Sequence, residues 1–295
     1  MRSSFRTIAI LAAIPIAGLA AFFLWQWIHG GELPEETYRE AVESVDVGRA
    51  SARPGRAEAR PTFAAAPLPK VTPKKRSRAG DIVLIIDDLG FDGQPLDRLM
   101  ALDPNINASI LPNGTRTAEF ARKLHARGFE ILCHLPMEPR GGEAPGRNAI
   151  LTSMTDEEIA RLTRQNIEAV PYARGVNNHM GSRATSDRRV MTSVLRAMPE
   201  QLYFIDSRTA SGSVAEDVAR ELNVPTAARH VFLDDVATEQ AVRQQVRELA
   251  GAARKRGVAI GIGHPYPVTL RVLAEELPEL RAQGFRLVRA SEVVR

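Results

Sequence analysis

From about residue 80 onward, the chain alternates between two patterns of hydrophobic and polar positions. Short apolar runs predict strands over residues 82–86, 107–111, 129–133, 175–178, 202–205, 226–228, 258–262 and 286–288. Apolar residues at helical spacing predict helices over residues 116–127, 156–170, 187–198, 213–222, 239–256 and 270–283. Strands and helices in alternation are typical of βαβ units. We therefore expect an α/β domain with a parallel sheet, open or closed into a barrel.

The N-terminal residues 1–29 have a different pattern, with no charged side chain between residues 7 and 28. A span of this length is sufficient for a transmembrane helix, which needs about 20 residues. Arg2 and Arg6 precede the span and acidic residues follow it, which predicts that the rest of the chain lies outside the cytoplasm. A cleaved signal peptide is the alternative, but no small-x-small cleavage site follows Trp27. We expect a single-pass anchor in the inner membrane, with the C-terminal domain in the periplasm.

Residues 30–79 are predicted to be a disordered, extended linker, because prolines alternate there with Ala, Arg and Lys without apolar periodicity. Its excess of basic residues could touch anionic lipid or envelope polymers, or it could be a merely soluble tether. Only Tyr38 and Phe63 are aromatic in this segment, too few to interleave these charges, so a nucleic-acid partner is not expected. The remaining residues, 80–295, have the length of one α/β barrel domain.

The first strand of this domain runs into two adjacent carboxylates, Asp87 and Asp88. Parallel strands place their carboxyl ends at the rim where α/β folds bind ligands and carry out catalysis. Adjacent like charges repel unless a cation or a shared proton offsets them, so we interpret the pair as a metal ligand and a base. A solvated strand end, with Asp88 capping the following turn, is the alternative.

Further ionisable residues follow later strands and are expected at the same rim. His134, His179 and His264 occupy such positions, and Asp206 follows the strand predicted over residues 202–205. Imidazole and carboxylate groups together suit zinc or a similar divalent ion. The sequence therefore predicts a metal site built from several strand ends.

Other polar residues near these strand ends leave alternatives open. Glu138, four residues after His134, could share a metal ion or remain a solvated loop carboxylate. Asn178 lies in a polar, glycine-flanked turn, and Arg208 follows a buried strand, so either could contact a metal or substrate. The segment 230–235 also contains a histidine and two acids, but capping of the next helix explains the acids.

Five motifs, taken together and in order, make the region from Asp81 to the C-terminus resemble the divergent polysaccharide deacetylase family. This family includes a YibQ-like branch and is distantly similar to NodB-type carbohydrate esterases. The motifs are Ile-Asp87-Asp88-Leu-Gly, His134-Leu-Pro-Met-Glu-Pro, Asn177-Asn178-His179-Met-Gly-Ser, Asp206-Ser-Arg208-Thr and Gly263-His264-Pro. The resemblance implies a distorted (β/α) barrel of the glycoside hydrolase/deacetylase type that binds a divalent metal, which is usually zinc in the related esterases.

The resemblance also implies roles for individual residues. Asp87 would be the general base, Asp88 and His134 would be metal ligands, His264 would be the general acid, and Asp206 would orient His264. The sequence departs from the esterase pattern in two places. Glu138 stands where the second metal histidine is expected, so Glu138 or His179 must complete the site. The Arg-x-Pro-Tyr motif that supports the base is missing, and Asn177-Asn178-His179 lies near its expected position.

The leading hypothesis is a membrane-anchored, metal-dependent hydrolase that removes N-acetyl groups from an envelope glycan. The two departures keep a second hypothesis open, in which an inactive deacetylase-like barrel binds glycan or an envelope protein. Phosphoryl transfer with magnesium is a third reading. It is disfavoured because no Walker-type phosphate loop is present and the histidines suit zinc better.

Overall fold

The structure is a computed structural model that describes residues 79–295. The predicted membrane anchor, and all of the predicted linker except residue 79, lie outside the described residues. Within residues 79–295, no helix combines the length and the apolar character that crossing a bilayer requires.

The domain contains nine strands and seven α-helices in its described residues, in the alternating order that the sequence predicts. The strands are β1 (Gly80–Leu89), β2 (Asn107–Ile110), β3 (Glu130–Met137), β4 (Ala173–Met180), β5 (Tyr203–Asp206), β6 (Thr226–Ala228), β7 (Val231–Phe232), β8 (Val258–Gly263) and β9 (Phe285–Leu287). The helices are α1 (Leu96–Met100), α2 (Thr117–Ala126), α3 (Asp156–Glu168), α4 (Arg188–Ala197), α5 (Ala215–Glu221), α6 (Glu239–Arg256) and α7 (Pro267–Ala282). Single 3₁₀ turns cover Ala184–Ser186 and Ala290–Glu292.

All strand pairs are parallel, in the order β6-β5-β4-β3-β2-β1-β8-β7, and β9 pairs with the first residues of β1. β6 and β7 stand at opposite ends of this order, yet only Arg229 and His230 separate them in the sequence. The sheet therefore curls until its two edges are neighbours, although no ladder joins β6 to β7 among the described strands. The result is a curled parallel half-barrel, which confirms the predicted α/β class and parallel sheet.

Alternation along the strands divides the buried side chains into two cores. In β1, Ile82, Leu84 and Ile86 belong to the large cluster that contains the helices, whereas Val83 and Ile85 belong to a smaller cluster. The smaller cluster joins β1 with β3, β5 and β8, and therefore lies inside the curl. Each fully buried side chain of this kind contributes about 1.5–3 kcal/mol.

Polar residues replace apolar ones at the inward-facing positions nearest the carboxyl ends of the strands. Asp87 continues the inward series Val83 and Ile85, just as His134 follows Leu132 in the same cluster. These residues lie within β1 and β3, so both strands are longer than the sequence predicts. The ladders continue beyond the apolar runs, and the polar side chains of these last strand residues line the mouth of the half-barrel.

Candidate metal-binding active site

Three side chains from β1, β3 and β4 converge at the mouth of the half-barrel. The Asp88 Oδ1 atom lies 3.2 Å from His134 Nε2 and 2.9 Å from His179 Nδ1, and the two imidazole nitrogens are 3.2 Å apart. Neighbouring ligands of one zinc ion, bound at about 2.0–2.2 Å, stand roughly 3 Å apart. The set Asp88, His134 and His179 therefore fits a single divalent ion.

The carboxylate of Asp88 supports this assignment by a second observation. Its Oδ1 atom is buried and accepts no well-aligned hydrogen bond from the described residues, although both imidazoles are close. A buried carboxylate oxygen without such a partner is costly unless a cation satisfies it. Burial alone would raise the pKa of Asp88, but His134 and His179 outweigh it and hold the pKa well below its usual range.

A local irregularity of β1 explains how two adjacent carboxylates reach one site. Successive side chains of a regular strand point to opposite faces. Asp88, however, has a φ of 58°, and the pairing of β1 with β2 shifts register between Ile86 and Leu89. The left-handed residue redirects the Asp88 side chain toward the mouth that Asp87 already faces. Such a conformation costs on the order of 1–3 kcal/mol outside glycine and is typical of functional sites.

Asn177 of β4 fixes the orientation of two neighbours. Its Nδ2 donates to Asp87 Oδ1 at 2.8 Å, while its Oδ1 accepts from Ser109 Oγ at 2.7 Å. The same Oδ1 lies 3.1 Å from His134 Nδ1, so that nitrogen must carry the proton of the pair. His134 Nε2 then keeps its lone pair for the ion, which is the usual arrangement when a second contact selects the histidine tautomer.

The electrostatics of the buried cluster favour positive charge. Asp87 is only 3% exposed, and its Oδ2 lies 3.6 Å from His134 Nε2. Burial opposes a charge on His134, but Asp87 and Asp88 outweigh it and raise the pKa of this imidazole. A site that attracts a proton to a buried imidazole also attracts a metal cation.

His264, at the end of β8, completes the mouth opposite His134. Its Nε2 lies 3.6 Å from Asp88 Oδ2. Its Nδ1 lies 2.9 Å from Asp234 Oδ1, and its backbone N–H donates to Asp234 Oδ2 at 2.7 Å. Burial would lower the pKa of His264, but the Asp234 carboxylate reverses this and raises the pKa to about 9. The imidazole therefore holds its proton at neutral pH.

The structure corrects the expectation that Asp206 orients His264, because Asp234 makes this contact. The Asp206 carboxylate instead accepts hydrogen bonds from the backbone N–H of Arg208 and from Ser213 Oγ, each at 2.8 Å. It thus fastens the loop that follows β5, and burial raises its pKa. The only signal for Asp234 in the sequence is the 230–235 segment, whose acids helix capping explains equally well.

Glu138 lies apart from the three converging ligands. Its Oε2 accepts hydrogen bonds from the Thr152 backbone N–H and Oγ1, both at 2.6 Å, and its Oε1 lies 3.3 Å from Arg183. The sequence leaves open whether His179 or Glu138 is the third candidate metal ligand. In the structure, His179 lies in the cluster, whereas Glu138 contacts a loop.

The remaining two predicted residues connect loops at the rim. Asn178 Oδ1 accepts from the Ser207 backbone N–H at 2.9 Å, which ties β4 to the end of β5. Arg208 has a φ of 47° and donates to Glu216 at 2.7 Å on the surface. Neither residue belongs to the metal-ligand cluster.

Comparison with known proteins agrees with this fold. A family model described as divergent polysaccharide deacetylase matches residues 84–294, which include every site residue named above. The uncharacterized protein YibQ of Escherichia coli K12 is 37% identical over 217 residues, which cover 73% of this chain and 68% of that protein. An uncharacterized protein of Haemophilus influenzae Rd is 34% identical over 200 residues, covering 68% and 71% of the two chains.

A solved structure has the same fold. The uncharacterized protein ATU2773 from Agrobacterium tumefaciens C58 superposes with a TM-score of 0.71 at 22% identity, covering 75% of this chain and 92% of that one. Fold and site together define a curled parallel α/β domain of the deacetylase type, with carboxylates and imidazoles at its mouth. The chain belongs to the divergent polysaccharide deacetylase family.

Proposed function

We propose that this protein is a metal-dependent hydrolase that removes N-acetyl groups from a glycan of the cell envelope. The observation that carries the proposal is the convergence of Asp88, His134 and His179 beside a buried carboxylate and a paired imidazole. Amide hydrolysis requires a group that accepts a proton from water and a group that protonates the departing amine. Both groups border the three ligands.

Asp88, His134 and His179 would hold the ion. When bound, a divalent ion, with zinc the expected one, polarises the acetyl carbonyl and acidifies a water molecule. Asp87 accepts the proton of the attacking water, and the hydrogen bond from Asn177 keeps its carboxylate aimed into the mouth. The other hydrogen-bond donors around the site fix the orientation of these side chains before substrate binds. This lowers the free-energy cost of reaching the reactive geometry.

His264 gives a proton to the nitrogen that leaves the acetyl group. Asp234 holds the ring through Nδ1, so Nε2 faces the mouth, where it lies 3.6 Å from Asp88 Oδ2. Because its pKa is raised to about 9, the imidazole is charged at neutral pH and can act as the acid. An amine leaves poorly unless it is protonated, so this proton is required.

The rim is suited to a sugar ring. Phe91 follows β1 and Tyr266 follows β8, and both aromatic side chains are exposed. Tyr266 lies beside the general acid, with a ring-to-ring distance of 5.4 Å to His264. Aromatic side chains in such a position offer large apolar faces with little conformational cost. The predicted membrane anchor would hold the domain at the periplasmic face of the inner membrane, close to envelope glycans.

The test combines metal analysis with acetate release from N-acetylated oligosaccharides. The purified protein should contain or take up about one divalent ion per chain. The variant His134→Ala should lose that ion, whereas Asp87→Asn and His264→Ala should retain it and release acetate at a rate lowered at least about 100-fold. If Asp87→Asn leaves acetate release unchanged, the proposed mechanism is wrong.

An inactive barrel that binds glycan or an envelope protein is the second candidate. It is favoured by the partner of Asp87, because the hydrogen-bond donor is the neutral amide of Asn177, where the related esterases have a motif that begins with arginine. This candidate requires glycan or partner binding that survives Asp87→Asn, together with no acetate release by the unmodified protein loaded with metal.

A further inference from the structure

A cleft runs along the line where β6 and β7 part. Two adjoining cavities of 540 and 830 Å³ share Arg208, Arg229 and His230 as lining residues. The cleft exists because β6 forms a ladder with β5 and β7 forms a ladder with β8, which leaves a gap in the sheet between them. We call these two cavities together the seam cleft.

The larger cavity of the seam cleft carries an excess of positive charge. Apart from the last residue, its charged lining side chains are Glu216 and four arginines: Arg208, Arg220, Arg229 and Arg256. Glu216 is shared between Arg208 and Arg220, which both lie within ion-pair distance of its carboxylate. Arg256 has no carboxylate within ion-pair distance among the described residues. The smaller cavity adds two exposed acids, Asp235 and Glu248, so the positive excess belongs to the larger one.

Arg229 carries a fixed positive charge in the seam cleft, whereas His230 beside it is neutral. Arg229 donates to the backbone carbonyls of Ser207 and Arg208, at 2.6 and 2.7 Å. No carboxylate of the described residues forms an ion pair with it, although Asp206, Asp87 and Asp235 attract its charge from further away. His230 Nδ1 accepts a hydrogen bond from the Ile260 backbone N–H at 3.1 Å, so the ring is neutral. Burial, and then the charge of Arg256, lower the pKa of His230 further.

The seam cleft begins beside the metal-binding mouth. Ser207, whose carbonyl Arg229 fixes, accepts a hydrogen bond from Asn177 Nδ2 at 3.3 Å, and Asn177 also holds Asp87. Arg208 is the next residue along the chain and lines both cavities. The larger cavity runs from Arg208 and Arg229 to Thr226 and Val258, the first residues of β6 and β8. A ligand of several sugars that begins at the mouth is therefore needed to reach the far end of the cavity.

We propose that the seam cleft binds a carboxylate or phosphate substituent of the same glycan whose N-acetyl group reaches the metal centre. The substrate would then be an acidic glycan, and a neutral chain of similar sugars would bind more weakly. Guanidinium groups suit this role because they match carboxylate and phosphate oxygens with pairs of hydrogen bonds. The inference rests on the proposed function and adds the chemical class of its substrate.

The experiment compares two N-acetylated hexasaccharides by calorimetric titration of the full-length, metal-loaded protein. One is a hyaluronan hexasaccharide, which alternates glucuronate with N-acetylglucosamine, and the other is the neutral chitin hexasaccharide. We expect the acidic ligand to bind about tenfold more tightly at low salt, the effect of one charge-assisted contact. The preference should shrink as salt rises, because the cleft is open to solvent.

Paired variants locate the effect. Arg220→Gln combined with Arg256→Gln should abolish the preference while leaving binding of the chitin hexasaccharide and the metal content unchanged. The matched control combines Arg164→Gln with Arg196→Gln, which remove the same charge from a cavity lined by α3 and α4. The control should keep the preference. Equal affinity for both ligands, or equal loss of the preference in both double variants, would overturn the proposal.

Two further measurements distinguish this proposal from a free-anion site and from failure of the proposed function. Inorganic phosphate should compete with the acidic hexasaccharide; phosphate that binds without competing would indicate a site for free anions and would overturn the proposal. Failure of the proposed function shows differently, as an absence of acetate release from either ligand. Acetate release from both ligands at equal rates, with no difference in binding, refutes only the preference for acidic glycan.

Discussion

The protonation state of His264 is the property of this site that is most open to direct measurement. Asp234 contacts both its ring nitrogen Nδ1 and its backbone N–H, and Thr269 Oγ1 donates to the same carboxylate at 2.7 Å. Replacing Asp234 with Asn keeps the size of the side chain but removes its charge. The pKa of His264 should then fall, because burial, which favours the neutral ring, is no longer opposed by the carboxylate.

The magnitude follows from the shift itself. The pKa of His264 is raised from 6.5 to about 9, which corresponds to roughly 3 kcal/mol of preference for the charged ring. Because the pKa of the folded state lies above that of the unfolded state, this stabilisation is complete below about pH 6.5 and is lost as pH rises through about 9. Removing the charge of Asp234 should lower the pKa by roughly one to two units. At pH 8 the protonated fraction should fall about two- to tenfold, and with it, on the proposed mechanism, the supply of protons to a leaving amine.

The assay is an NMR titration of the histidine ring protons in protein freed of metal with a chelator. The His264 resonance of the unmodified protein should titrate near pH 9, and that of Asp234→Asn near pH 7 to 8. Asp206→Asn is the control and should leave the midpoint in place, because Asp206 contacts the loop after β5 instead. If Asp206→Asn moves the midpoint and Asp234→Asn does not, our account of this pair is wrong.

Four further variants each change a single residue. Glu138→Gln should leave metal content unchanged by atomic absorption, because its carboxylate fastens a loop; loss of the ion would return Glu138 to the ligand set. Asn177→Leu should lower the free energy of unfolding by about 1–3 kcal/mol in urea, since it leaves buried polar partners unpaired. Gly175→Ala should destabilise the fold by about 1–3 kcal/mol, because its added Cβ would meet the Tyr203 ring at 2.3 Å. Gly251 lies within α6 and faces open space, so Gly251→Ala should stabilise the fold by about 0.5–1 kcal/mol. If Gly251→Ala were less stable than Gly175→Ala, the packing described for these two glycines would be wrong.

Periodicity in the sequence predicted most of the fold, because the strands are buried on both faces and the helices are amphipathic. The helix predicted from residue 156 does begin there, as α3, behind a complete capping box that pairs Thr155 with Glu158. The two missed elements are short: α1 has five residues and β7 has two. Neither is long enough to produce a periodic signal, and β7 exists only because β8 offers it a hydrogen-bonding partner.

The candidate metal ligands were more predictable from the sequence than the residues that contact and orient them. Asp88 and His134 each stand near the end of an apolar run, and His179 follows a short predicted strand, so the sequence displays all three positions directly. The partner of His264 was not predictable in this way, because the choice between Asp206 and Asp234 depends on where the chain crosses from β6 to β7. The left-handed turn at Asp88 has no signal of its own either, since aspartate tolerates this conformation but does not require it.

The pairing of β1 has a consequence for how the chain folds. β1 opens the domain, yet it forms ladders with β8 and β9, whose residues are about 180–205 positions further along the sequence. Contacts over such separations require closure of nearly the whole chain and slow the search for the native state. During synthesis, one edge of β1 stays without its partner until almost every residue has been made. Asp88 and His264 of the candidate site can meet only after β8 has been made and has paired with β1, so a chain that ends before residue 264 should not assemble the site.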